Sequence, residues 1–344
     1  MRGKLALTAI IGVALIAGGC NTGGGTGEGT KTAGTIQIDG SSTVAPISQA
    51  VAEAFRADEP GVNVAVGTSG TGGGFERFCN GETDISDASR PISEEEQASC
   101  AEAGIEYVEL KVAFDGISVL TNPENEAVEC LSFADLYALI GPESSGVNNW
   151  SGAQALATEL GSTTELPDAD LTITAPGAES GTYDSFLEIV FGDISEARAE
   201  EGKITEDQVE TARNDYSSQS DDTAIIAAME ADPTPLGWVG FAFAEEAGDQ
   251  VKELAISEEP GGECIAPTAE TIADGSYPIS RSLYIYVNAA KADENPAGAS
   301  YVDYYLSDEG IASVAEVGYV DLPADDLEAT RGVWEARETG TRES

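Results

Sequence analysis

From Thr35 onward, short runs with a two-residue apolar period alternate with longer runs whose apolar residues recur every three or four positions. "TIQIDG" at 35–40 alternates as a strand does. "APISQAVAEAFRADEPG" then sets Ile47, Val51, Ala54 and Phe55 on one helical face before a Pro-Gly stop. "VNVAVG" predicts a second strand and "TDIS" a third, while "IEYVELKVAFDGISVLTN" at 105–122 is a long extended stretch able to cross between two lobes. "DLTITAPGAESGTYDSFLEIVF" and "PLGWVGFAFAEEA" each predict a strand followed by a helix, "SLYIYVN" a late strand, and "ASYVDYYLSDEGIASVAEVGYV" C-terminal helices. Alternation of this kind points to parallel α/β layers, and no solenoid-type repeat interrupts it.

Three of the predicted strand-to-helix joints share a composition: "DGSSTVAPI" at 39–47, "GTSGTGGGF" at 67–75 and "GAESGTYDSF" at 177–186. Small residues let a ligand approach the backbone, hydroxyls donate to oxyanion oxygens, and free amides at a helix start favour negative charge. One such joint is an ordinary capped helix end. Three of them, spread over two expected lobes, point to one tetrahedral oxyanion held between them. The second joint lacks the Lys-Ser or Lys-Thr pair of a nucleotide-binding P-loop, so a nucleotide is not expected.

Composition narrows the chemistry further. The 344 residues suggest two lobes, and a net charge of −46 with no histidine disfavours nucleic acid and anionic membranes as partners. Dispersed acidity with few lysines reads as a solvation device for salty surroundings, a halophilic acidic proteome. Without histidine there is no Ser-His-Asp relay, no Cys-His nucleophile and no imidazole metal site, and the acids show no EF-hand spacing. No enzyme activity, metal or cofactor is therefore expected.

At the N-terminus, Arg2 and Lys4 precede an apolar run from Leu5 to Ile16, and "AGGC" ends at Cys20. The run is short for a membrane span and reads as an export signal over 1–19. It resembles a bacterial lipoprotein signal with Cys20 as the lipidated residue, although Ala17 stands where leucine is commonest. Residues 20–34 read as a flexible tether. The other cysteines, Cys79, Cys100, Cys130 and Cys264, are even in number, as expected of disulfides in an exported protein. Of the three possible connectivities, Cys79–Cys100, which closes a short local loop, with Cys130–Cys264 is the expected one.

The ordered motifs "DGSSTVAPI", "GTSGTGGGF", "FCNGETDISDASRPI", "AFDGISVLTNP", "PGAESGTYDSF", "GWVGFAFAEE" and "YPISRSLYIYV" resemble, over nearly the whole chain, the periplasmic phosphate-binding proteins of ABC importers: the PstS family, in its SphX-like subgroup. The resemblance implies a type II periplasmic-binding-protein fold, two α/β lobes joined by two hinge crossings near 114–120 and 281–287. The lobes would be 35–116 with 284–344, and 117–283. Carried over by motif, the phosphate ligands are Ser42 and Thr43, then Ser69, Thr71 and Gly72, then Ser180, Gly181 and Thr182.

The charged pair departs from the family's best-known pattern, which has an aspartate on the first lobe and an arginine before Ser-Gly-Thr; the aligned positions here are Ser89 and Pro176. Arg90 on the first lobe and Glu179 before Ser180 suggest that the two charges exchanged lobes, with Asp87 and the pair Asp221 and Asp222 as reserve acids. An arginine would clamp two oxygens while a carboxylate accepts the proton that phosphate retains near neutral pH and sulfate lacks.

The implied function is high-affinity extracytoplasmic capture of inorganic phosphate by a lipid-anchored monomer and its delivery to a membrane permease. A separate ATPase is needed, because the chain has no Walker sequence. The alternatives are a receptor for another oxyanion such as sulfate, a phosphatase or phosphotransferase using Ser42 or Ser69 as nucleophile, and an adhesin or signalling module without small-ligand closure.

Overall fold

The structure, a computed structural model, describes residues 33–178 and 180–342. Cys20, the 1–19 signal and Glu179 lie outside the described residues, as does nearly all of the 20–34 tether.

β1 (Gly34–Gly40) leads into α1 (Ala45–Asp58), β2 (Val62–Val66), α2 (Gly70–Cys79), β3 (Ile85–Ala88) and α3 (Glu94–Ala103). β4 (Tyr107–Thr121) follows, then β5 (Cys130–Ser132), α4 (Phe133–Ile140), α5 (Gln154–Glu159), β6 (Thr172–Pro176) and α6 (Gly181–Glu200). The chain continues through β7 (Ser217–Gln219), α7 (Asp222–Ala231), β8 (Pro235–Gly240), α8 (Phe241–Ala247), β9 (Lys252–Glu253), β10 (Ala255–Ser257) and α9 (Ala269–Ala273). β11 (Ser280–Asn288) runs back along β4, and α10 (Ala289–Glu294), α11 (Pro296–Tyr305), α12 (Asp308–Glu316) and α13 (Ala324–Ala336) complete it.

The main sheet has the order β2-β1-β3-β11-β4-β8-β6-β7, with β9 paired to β4. β1 is parallel to β2 and β3, and β6 is parallel to β7 and β8. Between these sets, β11 is antiparallel to β3 and β4, and β4 is antiparallel to β8. The parallel layers expected from the alternating pattern are thus two parallel sets joined through an antiparallel pair. Adjacent strands of opposite sense carry no local sequence mark, because both directions present the same two-residue period. β4 is buried along its length except at the half-buried Lys111, which accounts for its nearly continuous apolar run.

Buried side chains gather into separate clusters that β4 links. Ile36, Ile47, Val51, Phe55, Leu110, Ile285 and Tyr301 pack together in one. Phe114, Ile117, Leu136, Trp150, Phe186, Trp238 and Ile279 form another, in which the Phe186 and Trp238 rings stack with centroids 4.4 Å apart. In α1, Ile47, Val51 and Phe55 are buried as the helical period predicts, with Ala52 beside them and Ala54 only half-buried. Truncating Phe55 to alanine would cost about 3–5 kcal/mol by the usual cavity penalty.

Two disulfides complete the framework: Cys79 with Cys100 and Cys130 with Cys264, the expected pairing. Their sequence separations of 21 and 134 residues correspond, in the chain-entropy account, to about 3 and about 5 kcal/mol.

Candidate functional site

The first two expected joints meet through one carboxylate. Asp39, at the end of β1, is buried, and its Oδ1 accepts from the amides of Gly40 (2.8 Å) and Ser69 (2.9 Å) while Oδ2 pairs with Arg77. Burial alone would raise its pKa, but the Ser69 and Gly40 amides and the Arg77 charge outweigh that and hold it below the usual aspartate value. The glycine-rich stretch that reads as a loop is the first turn of α2, which begins at Gly70. Glycine costs about 1 kcal/mol against alanine in a helix interior. Packing explains at least one of them, since a Cβ on Gly74 would sit 2.5 Å from the Cα of Gly40.

A cavity of about 270 Å³ opens between these joints and the start of α6, lined by Ser41, Ser42, Thr43, Gly70, Thr71, Gly72, Ser89, Arg90, Asp184 and Glu188. That is slightly below the usual size range of small-molecule pockets and suits an ion. A cavity of about 530 Å³ lies elsewhere, against Arg213 and Asp215, but there the guanidinium is closed by the aspartate at 2.6 Å, so volume alone does not mark the site.

Of the residues expected to bind, Ser42, Thr43, Thr71, Gly72 and Arg90 line this cavity. The Thr71 and Ser89 hydroxyls lie 3.0 Å apart, and the Ser89 amide donates to Thr71 Oγ1 at 3.2 Å. Arg90 forms a two-pronged pair with Glu96, at 2.8 and 2.9 Å, and its guanidinium carbon is 5.8 Å from the Phe75 ring centroid. Ser69 is not on the cavity wall, and its amide donates to Asp39.

The third joint contributes differently from expectation. Ser180 caps α6, its hydroxyl accepting from the Thr182 amide at 3.2 Å, and neither residue lines the cavity. Gly181 is pressed against the first joint: a Cβ there would lie 3.1 Å from the Ser42 carbonyl oxygen. The acids facing the cavity from this helix are Asp184 and Glu188, one turn apart. Asp184 Oδ2 accepts from Ser42 Oγ at 2.9 Å, and Glu188 Oε2 accepts from Arg281 Nη1 at 2.5 Å.

The reserve acids stand off the cavity wall. Asp87 is fully buried in β3, where its Oδ1 accepts from Ser48 Oγ at 3.0 Å and burial pushes its pKa up to about 8. Asp222 opens α7, half-buried, with Asp221 as the cap through its bond from the Thr223 amide. Asp39, Asp184, Glu188 and Arg281 were absent from the expected site. The i, i+4 spacing of Asp184 and Glu188 after a Ser-Gly-Thr helix start was the available signal for two of them. Arg281 stood in the motif "YPISRSLYIYV" at the start of the expected crossing 281–287, but its remoteness in sequence from every joint gave no sign that it reaches them. Among the described residues, no group of three or more histidines, cysteines or acids is arranged to hold a metal ion.

Known proteins align with this architecture over nearly its full length. A sequence model of the PBP superfamily domain matches residues 25–309. Protein SphX of Synechocystis sp. is 35% identical over 314 residues, covering 91% of this chain and 85% of that protein. The phosphate-binding protein PstS of Staphylococcus saprophyticus is 34% identical over 319 residues, covering 93% and 90%. Among solved structures, a possible phosphate binding protein from Planctomyces limnophilus superposes with a TM-score of 0.78 at 36% identity, covering 89% of this chain and 99% of that one. With a cavity of hydroxyls, amides and one arginine set between parallel strand sets, the chain belongs to the PBP superfamily, in the family of the SphX and PstS proteins.

Proposed function

We propose that this protein captures inorganic phosphate outside the cytoplasm and delivers it to an ABC-type permease driven by a separate ATPase. The observation that carries the reading is the cavity itself, an ion-sized space lined by the hydroxyl residues Ser42, Thr43, Thr71 and Ser89 and by Arg90. Neutral donors and one arginine bind a dianion locally even within a strongly negative chain, because salt screens the distant acids. The lobes are 35–116 with 284–344 and 117–283, with β4 and β11 as the crossings about which they close.

In this reading Arg90 turns from Glu96 to clamp two phosphate oxygens, while Asp184 accepts the phosphate proton. Asp184 takes that role from the cavity wall, where Asp87 and Asp222 do not reach. The charged pair is thus exchanged between the lobes, as Arg90 and Glu179 suggested, but with the acid five residues further along the chain. Ser180, Gly181 and Thr182 contribute the start of α6, whose positive dipole end favours the anion. Cys20 carries a lipid that holds a monomeric receptor at the membrane.

Calorimetric titration of the purified protein with phosphate and with sulfate in molar salt tests this. Tight phosphate and weak sulfate binding are expected; equal affinities would make it a general oxyanion receptor. Ser42 on Asp184 is also the hydroxyl–carboxylate contact a phosphatase would need. Turnover of p-nitrophenyl phosphate would favour that reading, and none is expected.

A further inference from the structure

Two carboxylates on the wall of an anion site pose an electrostatic problem. Asp184 is useful there, because it accepts the ligand's proton in the phosphate-binding reading on which this inference rests. Glu188 has no such use: an uncompensated negative charge at its position would repel the ligand. We propose that Arg281 is the positioning residue that solves this, neutralising Glu188 from behind the cavity and fixing Thr43 of the cavity wall in place.

The geometry is specific. Arg281 lies on β11 directly opposite Asp115 of β4, at the crossing between the two parallel strand sets, with its side chain 13% exposed. Its Nη1 donates to Glu188 Oε2 at 2.5 Å, and its Nη2 donates to Ser185 Oγ at 2.8 Å and Thr43 Oγ1 at 3.1 Å. The Thr43 and Ser185 hydroxyls are themselves 2.9 Å apart. Thr43 and Glu188 face the cavity and Arg281 does not, so it acts on the ligand only through them.

Asp115 is the competing partner for the guanidinium. Its Oδ2 is 3.6 Å from Arg281 Nε, longer than a hydrogen bond. Burial raises the Asp115 pKa despite the nearby arginine, and the shorter contact of the guanidinium is the one to Glu188. One buried guanidinium thereby ties the first joint (Thr43) to α6 (Ser185 and Glu188), and its charge is matched by the single acid that would otherwise oppose the ligand.

The test is a double-mutant cycle read as phosphate affinity by calorimetry, with melting temperature alongside. Arg281→Gln should weaken phosphate at least about tenfold, Glu188→Gln should tighten it about threefold, and the double variant should return to within about threefold of wild type. Rescue by the second substitution distinguishes charge compensation from simple loss of packing. Glu188 is 47% exposed, so its variant leaves the buried strands intact and decides the matter even if Arg281→Gln does not fold. An unchanged or weaker affinity in Glu188→Gln overturns the proposal, as does a double variant no better than Arg281→Gln. Wild-type protein that binds no phosphate overturns this proposal and the functional reading together, whereas wild-type binding with an insensitive cycle overturns the proposal alone.

Discussion

The two walls of the cavity are built from opposite chemistry. Ser41 to Thr43, Thr71, Gly72, Ser89 and Arg90 offer donors, whereas α6 offers the acids Asp184 and Glu188. Both walls start from the same kind of strand-to-helix joint, yet in the proposed reading they read different properties of one ligand. The donor wall rewards negative charge, which phosphate and sulfate share. The acidic wall rewards a retained proton, which only phosphate has near neutral pH. In that reading selectivity depends on the wall that looks unfavourable to an anion, with Arg281 paired to the acid that is not needed.

The contrast is broken most severely by removing the single charge of the donor wall. Arg90→Ala is expected to weaken phosphate and sulfate alike by about 100-fold, ~3 kcal/mol for a two-pronged charge-assisted pair, measured by calorimetry. A loss confined to one ligand would show that Arg90 serves selectivity instead.

The next largest effect concerns Asp87, buried in β3 off the cavity wall. Burial sets its folded pKa at about 8, above the unfolded value. Its contribution to stability is therefore complete below the unfolded pKa and is lost as pH rises through about 8. Between about pH 5 and about pH 6.5 the wild type should lose roughly 2 kcal/mol relative to Asp87→Asn, as followed by denaturant unfolding. Parallel pH profiles for the two proteins would mean that Asp87 is already ionised in the fold.

On the acidic wall, Asp184→Asn should cut phosphate affinity about tenfold and leave sulfate unchanged or improved, since an amide no longer rejects a ligand without a proton. Equal losses for both ligands would reduce Asp184 to a structural partner of Ser42. The smallest effect is kinetic. With a net charge of −46, the stopped-flow association rate for phosphate should rise modestly with salt, as the Debye length shrinks to about 3 Å near 1 M. A rate that falls with salt would instead indicate a locally positive entrance.

Periodicity alone located β1, α1, β2, β4, α6 and β11, because each buries a face whose apolar spacing survives in the linear pattern. It missed that the glycines of 70–74 start a helix, since close contact between Gly74 and Gly40 requires glycine where propensity argues against one. Ser42, Thr43, Thr71, Gly72 and Arg90 could be picked out because each sits in or beside a motif whose local chemistry suits an anion. Asp184 and Glu188 carried only the weaker signal of an i, i+4 spacing after a Ser-Gly-Thr helix start, among 62 acids.

By itself, then, the sequence determined the alternation of strands and helices, the exclusion of histidine chemistry and the joints that could face an oxyanion. Tertiary structure decided which of their residues line the cavity. Ser69 gives its amide to Asp39, Asp87 is buried within β3, and Arg281 reaches Glu188 from a strand 93 residues away. The physical reason is that donors, acids and arginines are satisfied by whatever lies within about 3 Å in space, and long-range strand pairing sets that neighbourhood while leaving no periodic trace along the chain.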